Sequence, residues 1–503
     1  MPSLIDLNLE GLQVARHRPW SRTVVDSAVW SFAAKMLSEQ QWQLLSLWGE
    51  PAMVHMALFD PRTAEIGVVS LDCPHRSFPS VAAKHLPALR LERTIRDLYG
   101  LVPEGAIDDR PWLDHGQWGV HAPLGEPVEF LAPSPSYRFL PVEGEGAHQV
   151  AVGPVHAGII EPGHFRFTVS GETVVRLEQR LGYVHKGIDG LLAGAELSRA
   201  ARLAGRVSGD STVAYALAFA RAVEAAAEIA VPARAVWLRA LVAELERLAN
   251  HLGDIGAICN DAAFALMLAQ FSVLRENVLR AADAAFGHRL MRDVVTPGGV
   301  TRDLDATGTA AIRKALAAVR NKLPELIELY DRTASLQDRT VGTGILKASL
   351  ADQYAAGGFV GRASGRAFDA RRTLGYAPYD ELRFEIPVRT EGDVDARIWI
   401  RISEVEQSLA LVDQILDRLP GGDICVAPAL PEQVCEGLAL VEGFRGDILV
   451  WLRLRDGVVE RCHLRDPSWF QWPLLEAVIE GNIIADFPLC NKSFNCSYSG
   501  VDL

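Results

Sequence analysis

Leu238, Leu241, Leu245, Leu248, Leu252 and Ile255 recur at steps of three and four, the period that lines up one buried face of a helix. The same spacing returns in Ile312, Leu316, Val319, Leu323, Leu326 and Tyr330, with a kink predicted at Pro324. It returns again in Val405, Leu409, Val412, Leu416 and Leu419, where Pro420-Gly421-Gly422 ends it. Stripes this long predict a helical bundle as the dominant architecture.

Elsewhere the period is two, as in strands. Val54, Met56 and Leu58 alternate up to a turn at Asp60-Pro61, and Ile66, Val68 and Ser70 follow. Val150 and Val152, then Phe165, Phe167 and Val169, alternate likewise. Ser170-Gly171-Glu172 then turns the chain into Val174 to Leu177. Ile448, Val450, Leu452 and Leu454 run into Asp456-Gly457, the pair that a type I′ hairpin turn favours. Nearer the start, Val24 to Leu47 has the spacing of an amphipathic helix, and Leu91 to Tyr99 predicts a second. Pro103 to Pro135, rich in Pro, Gly, Asp and His, reads as a linker. The pattern is that of an α+β chain: a small α/β unit, a short β-rich block, then long helices.

Composition narrows the choice of function. Over 503 residues, 50 Lys and Arg face 63 Asp and Glu, a formal charge of −13. That balance speaks against nucleic acid as a main partner, which needs a basic face. No stretch reaches the ~20 uninterrupted apolar residues that span a bilayer; Val213 to Ala233 is broken by Arg221, Glu224, Glu228 and Pro232. No transmembrane helix is expected. Met1 to Asp6 shows no basic region leading an apolar run, so a cytoplasmic chain is expected. None of the seven cysteines makes a C-x-x-C pair, which argues against a thiolate metal site.

Four segments concentrate polar chemistry. Gly153 to Phe165 carries His156, Glu161 and His164 on a Gly/Pro-rich loop between strands, either groups that exchange protons near neutral pH or surface residues of a turn. Gly182 to Asp189 holds Tyr183, His185, Lys186 and Asp189, readable as a hydrogen-bonded network or as a solvated Lys186–Asp189 pair. In Arg206 to Ser211, Asp210 and Ser211 fit a helix cap as well as a site. Arg445, just ahead of a strand, is a candidate cation or a surface ion-pair partner.

In this order the segments resemble the large subunit of energy-converting nickel–iron hydrogenases, whose fold also forms the quinone-site subunit of respiratory complex I. The resemblance rests on Gly153 to Phe167 (GPVHAGIIEPGHFRF) and Gly182 to Ile188 (GYVHKGI), with Val231 to Leu248, Thr296 to Leu304, Glu442 to Asp447 (EGFRGD), Arg465 to Trp469 (RDPSW) and Asp486 to Leu489. Glu92 to Gly100 (ERTIRDLYG) is similar to the neighbouring small subunit of complex I, which formate-hydrogenlyase-type large subunits carry fused ahead of the hydrogenase domain. The resemblance implies two domains: residues 1–133, a docking domain, and residues 134–503, a mainly helical hydrogenase-like domain with a short sheet.

Four cysteines hold nickel and iron in true hydrogenases. Matched to this chain, their positions hold Ser208, Ser211, Ser497 and Gly500, and Tyr215 stands where a histidine is expected. Serine and glycine do not replace thiolates at a soft metal centre. The resemblance therefore implies a chain without metal or other bound cofactor, in the cytoplasmic arm of a complex I-related (NADH-quinone oxidoreductase-like) membrane assembly. Electrons would come from an iron–sulfur cluster in a small partner subunit and pass to a quinone, with antiporter-like membrane subunits as further partners and this chain peripheral on the cytoplasmic face. His156 would meet the acceptor, His164 and Glu161 would support proton delivery, and Arg445 would face the cavity. Tyr183, His185, Ser208, Asp210 and Tyr215 would line it. Two other readings stand beside this one: a nickel hydrogenase large subunit, and a non-catalytic scaffold coupling redox to ion-pumping modules.

Overall fold

The computed structural model describes residues 4, 11–116, 118–126, 128–129, 137–156 and 160–503. The first unit is a five-stranded sheet of β1 (Leu12–Gln13), β3 (Arg22–Val25), β4 (Gln43–Glu50), β5 (Met53–Asp60) and β6 (Glu65–Asp72), in the order β1-β3-β6-β5-β4. β2 (His17–Arg18) leaves it for a second sheet. Helices α1 (Ser27–Ser38) and α2 (Leu89–Tyr99) complete the unit.

The helix expected over Val24 to Leu47 is corrected to strand, helix and strand. Asp26 caps α1 by accepting from the Ala28 and Val29 amides, and α1 ends before Gln40, whose φ is +55°. β4 then buries seven consecutive residues. A strand covered on both faces has no period of two, so its apolar run extends a helical pattern by accident. The linker expectation also fails over 111–116. The Trp112 and Leu113 amides donate to Asp97, Trp112 Nε1 donates to the Val501 carbonyl, and both side chains are buried against α2 and the chain's end. The boundary at 133 lies outside the described residues.

The second part opens with the antiparallel strands β7 (Ala147–Val152), β8 (His164–Ser170) and β9 (Thr173–Arg180). Helices α3 (Ile188–Leu192), α4 (Leu197–Ala204), α5 (Thr212–Ala227), α6 (Ala233–Asp261), α7 (Ala265–Phe286), α8 (Ala306–Arg332) and α9 (Val394–Arg418) follow, with shorter helices between α8 and α9. The predicted stripes lie on α6, α8 and α9, and every stripe residue on α6 and α8 is buried. α8 runs through Pro324 without a break. Last come β10 (Cys435–Glu442), β11 (Asp447–Arg455), β12 (Val458–Arg465), α10 (Ser468–Ile479) and α11 (Phe487–Phe494). Asp456 and Gly457 both have positive φ, as a type I′ turn requires. A Cβ on Gly437 would lie 1.9 Å from the Ala222 carbonyl oxygen, so only glycine lets α5 lie this close to β10.

The two parts interlock. β2 pairs in parallel with β10, placing His17 opposite Glu436 in the second sheet. Arg22 forks onto Glu436 at 2.7 and 2.8 Å, and Arg453 reaches both Glu50 and Glu436. Trp48 stacks on His463 with centroids 5.0 Å apart. Among the described residues, no helix is long and apolar enough to cross a membrane.

Candidate functional site

Two segments distant in sequence meet at the start of α5. The turn between α4 and α5 carries Ser208, Asp210 and Ser211, and the chain beyond α11 carries Ser497, Ser499 and Gly500. Ser208 Oγ and Ser497 Oγ lie 3.0 Å apart, and Ser208 also donates to Asp210 at 2.8 Å. The Gly500 amide donates to Ser497 Oγ at 2.9 Å. The positions matched to hydrogenase cysteines thus converge, joined by hydroxyls.

Arg445 closes the cluster. Its Nη2 donates to Asp210 at 2.5 Å, Nη1 to Ser211 Oγ at 3.1 Å, and Nε to the Asn495 carbonyl at 2.5 Å. This arginine is buried, so the surface ion-pair alternative does not hold, while Asp210 keeps about a third of its side chain open. Burial raises the Asp210 carboxyl, but the Arg445 charge and hydrogen bonds outweigh it and hold the group below its ordinary range. Ser211 stands at the N-cap of α5 without capping it. Glu246 does that from α6, accepting from the Val213 and Ala214 amides at 2.7 and 3.0 Å.

Tyr215, fully buried, donates to Asp466 at 2.7 Å. Asp466 also accepts from the Ser468 amide at the start of α10. A Cβ on Gly500 would sit 2.6 Å from the Asp466 carboxyl carbon, so no larger residue fits there without moving that carboxylate. These donors do not fit nickel and iron. Hydroxyls and a glycine hold the four positions, and burial pushes the thiol of neighbouring Cys496 far from thiolate formation. Among the described residues no three His, Cys, Asp or Glu side chains form a metal-binding set. Metal analysis of the purified chain is expected to find no stoichiometric nickel; one nickel per chain would overturn this reading.

The 153–163 loop touches the cluster from one side. Glu161 accepts from the Ser499 amide at 3.3 Å, and Ser499 Oγ stands 3.5 Å from Ser497 Oγ. His156 Nε2 donates to the Gly163 carbonyl at 2.8 Å, and His164 Nδ1 lies 3.4 Å from the Gly153 carbonyl. Burial lowers the His164 pKa, so the neutral ring is favoured. Ala157 to Ile159 of the motif lie outside the described residues. No contact joins His156 or His164 to Arg445 among the described residues.

The 182–189 segment departs from both of its sequence readings. The Gly182 and Val184 amides donate to the Asp502 carboxylate, and His185 Nδ1 donates to the Asp502 carbonyl while its ring stacks on Trp118. Lys186 Nζ donates to the Arg206 and Val207 carbonyls, bracing the turn that presents Ser208. No Lys186–Asp189 pair forms. Tyr183 stays 39% exposed with the Arg180 guanidinium over its ring, so it is not a wall of the serine cluster.

Behind Arg445 lies a buried ionic network that the sequence patterns did not expose. Arg362 donates to Glu404 at 2.6 Å and to Glu442 at 2.9 Å, with Asp369 at 3.6 Å. His251 meets Glu404 at 2.7 Å, and Arg247 donates to the carbonyls of Glu442 and Gly443. These bonds fix the turn on which Arg445 stands. Asp466, Asn495 and Asp502 were also missed as side chains. The RDPSW match marked the place of Asp466 without giving it a role.

Residues 261–434 match the family model described as Respiratory-chain NADH dehydrogenase, 49 Kd subunit. Formate hydrogenlyase subunit 5 of Escherichia coli K12 is 32% identical over 447 residues, spanning 86% of this chain and 78% of that protein. The chain belongs to this family. An NADH-quinone oxidoreductase protein of Syntrophobacter fumaroxidans is 32% identical over 69% of this chain and 95% of its own length. The fused C/D protein of the NADH-quinone oxidoreductase of Phocaeicola vulgatus is 28% identical over 81% of this chain and 84% of its own length. The chain is thus a complex I-related oxidoreductase subunit of hydrogenase large-subunit type, and the α+β architecture expected from sequence is the one observed.

Proposed function

We propose that this chain works without nickel in the peripheral, cytoplasmic-face arm of a membrane complex, where a quinone-like acceptor is reduced. The carrying observation is the set of three serine hydroxyls and a glycine, with Asp210 and Arg445 bonded to the serines of the first segment, at the four positions where the hydrogenase resemblance places thiolates. An iron–sulfur cluster in a small partner subunit would supply two electrons, and antiporter-like membrane subunits complete the proposed assembly. Residues 1–133 are assigned to docking and residues 134–503 to the reaction.

Reduction of a quinone to a quinol takes two electrons and two protons, so proton donors must lie within hydrogen-bond reach. His156 Nε2 is committed to the Gly163 carbonyl. Nδ1 is therefore the ring atom left to give a proton to an acceptor oxygen. Glu161, which holds this loop against the serine cluster by accepting from the Ser499 amide, and His164 are assigned to delivery of the second proton. Arg445 supplies the fixed positive charge that favours a reduced, negative oxygen.

In the intact complex, His156→Ala is expected to lower quinone reduction about 100-fold or more with assembly unchanged. Undiminished turnover would overturn the role of His156.

A further inference from the structure

Asn495 ends α11 in the left-handed region, with φ and ψ both 46°. Glycine is the usual residue at such a helix end, because a Cβ is costly there and asparagine is among the few that tolerate it. In this conformation the Asn495 carbonyl accepts from Arg445 Nε at 2.5 Å. With Nη1 on Ser211 and Nη2 on Asp210, that third bond fixes the plane of the guanidinium.

The side chain of Asn495 is tied to a different element. Its Nδ2 donates to both carboxylate oxygens of Asp254 on α6, at 3.1 and 3.0 Å. Asp254 is buried and gathers two further groups, Lys492 Nζ from α11 at 3.3 Å and Arg401 Nε from α9 at 3.5 Å. Lys492 also donates to Asn495 Oδ1 at 3.2 Å, and Arg401 Nη2 donates to the Ser493 carbonyl at 2.7 Å. The last turn of α11 is thus held from α6 and α9 together. Closing a helix needs none of this, since a glycine would do it without burying a carboxylate between two cations. The extra groups converge on the one residue whose carbonyl meets Arg445.

We infer that Asp254 is a positioning residue: through the Asn495 side chain it holds the Asn495 carbonyl against Arg445 Nε, and so sets the direction in which the guanidinium presents its charge. The inference rests on Arg445 being the cation that favours the reduced acceptor. Such a charge acts on the negative oxygen as it forms and does little for the neutral quinone beforehand. Loosening it therefore lowers kcat and spares KM. A purely structural Asp254 would instead affect the melting temperature and leave the kcat of each assembled complex alone.

Asn495→Asp keeps the size of the side chain and tolerates the left-handed turn, but sets one carboxylate against another. In the intact complex it is expected to lower kcat about tenfold or more, with KM within about twofold of its starting value. Combining it with Asp254→Asn exchanges donor and acceptor, leaves Lys492 an anion, and is expected to restore kcat to within about threefold. Crystal structures of the purified chain should show Arg445 Nε released from the carbonyl at position 495 in Asn495→Asp and bonded to it again in the exchanged pair. Should Asn495→Asp not assemble, Asn495→Gly keeps the turn without the tie, and the same fall in kcat at constant KM is expected. Unchanged kcat, no recovery in the exchanged pair, or a guanidinium that keeps its place would overturn the inference. Unchanged turnover in Arg445→Met would overturn the quinone reading instead, and the crystal structures would still decide whether Asp254 sets Arg445.

Discussion

Arg362→Met is expected to cost the folded chain about 3–5 kcal/mol, the range seen when one member of a buried ion-pair network is removed. Arg362 is fully buried, with Glu404, Glu442 and Asp369 around its guanidinium at 2.6, 2.9 and 3.6 Å. Methionine keeps an unbranched apolar stem, loses the guanidinium and leaves three carboxylates facing one another. The pH profile should change sign as well. In the native chain burial would raise the Glu404 carboxyl, but Arg362 and His251 outweigh it and hold the group well below its ordinary range. Its stabilisation is therefore complete above the unfolded value of about 4.3 and is lost as pH falls through the lower folded value. Without Arg362 burial dominates and the folded pKa rises. The favourable contribution then belongs to low pH and disappears as pH climbs from about 4 toward neutrality. Urea melts between pH 4 and 7 read both effects. A loss under about 1 kcal/mol at neutral pH, or an unchanged pH slope, would contradict the network's role.

Arg445→Met is expected to lower quinone reduction by the intact complex on the order of 100- to 1,000-fold, the scale of losing one charge-stabilising group at a reaction centre. Arg445→Lys should recover only part. An ammonium cannot reproduce the planar fork that bonds Asp210, Ser211 and the Asn495 carbonyl together. Removing the guanidinium also frees the Asp210 carboxyl to follow burial upward, so the variant's residual activity should change its dependence on pH. The scaffold reading expects the reverse: unchanged turnover in both variants, with uncoupling caused by interface substitutions instead. Measured turnover and its pH profile separate the two.

Much of the architecture was legible because burial imposes a period. α6 and α8 keep their stripes wholly inside, and Asp456-Gly457 sets its hairpin through local backbone chemistry alone. The pattern failed where a segment is covered on both sides, as at β4, whose second cover is Trp451 and His463 from the second sheet. It also failed at Trp112, whose docking depends on Asp97 and on the Val501 carbonyl 389 residues further along.

The candidate site divides along the same line. By itself the sequence determined that four residues matched to metal-binding cysteines cannot act as thiolates, because that is a property of side-chain chemistry at aligned positions. It also marked His156, Glu161 and Arg445. Only the tertiary structure decided that Ser208 touches Ser497 across 289 residues of chain, that Lys186 braces a turn and ignores Asp189, and that Asp466 takes Tyr215 as its partner. Hydrogen bonds and buried charges are settled by which groups lose water together. Sequence spacing shows this within one helix or strand and conceals it between elements that meet only on folding.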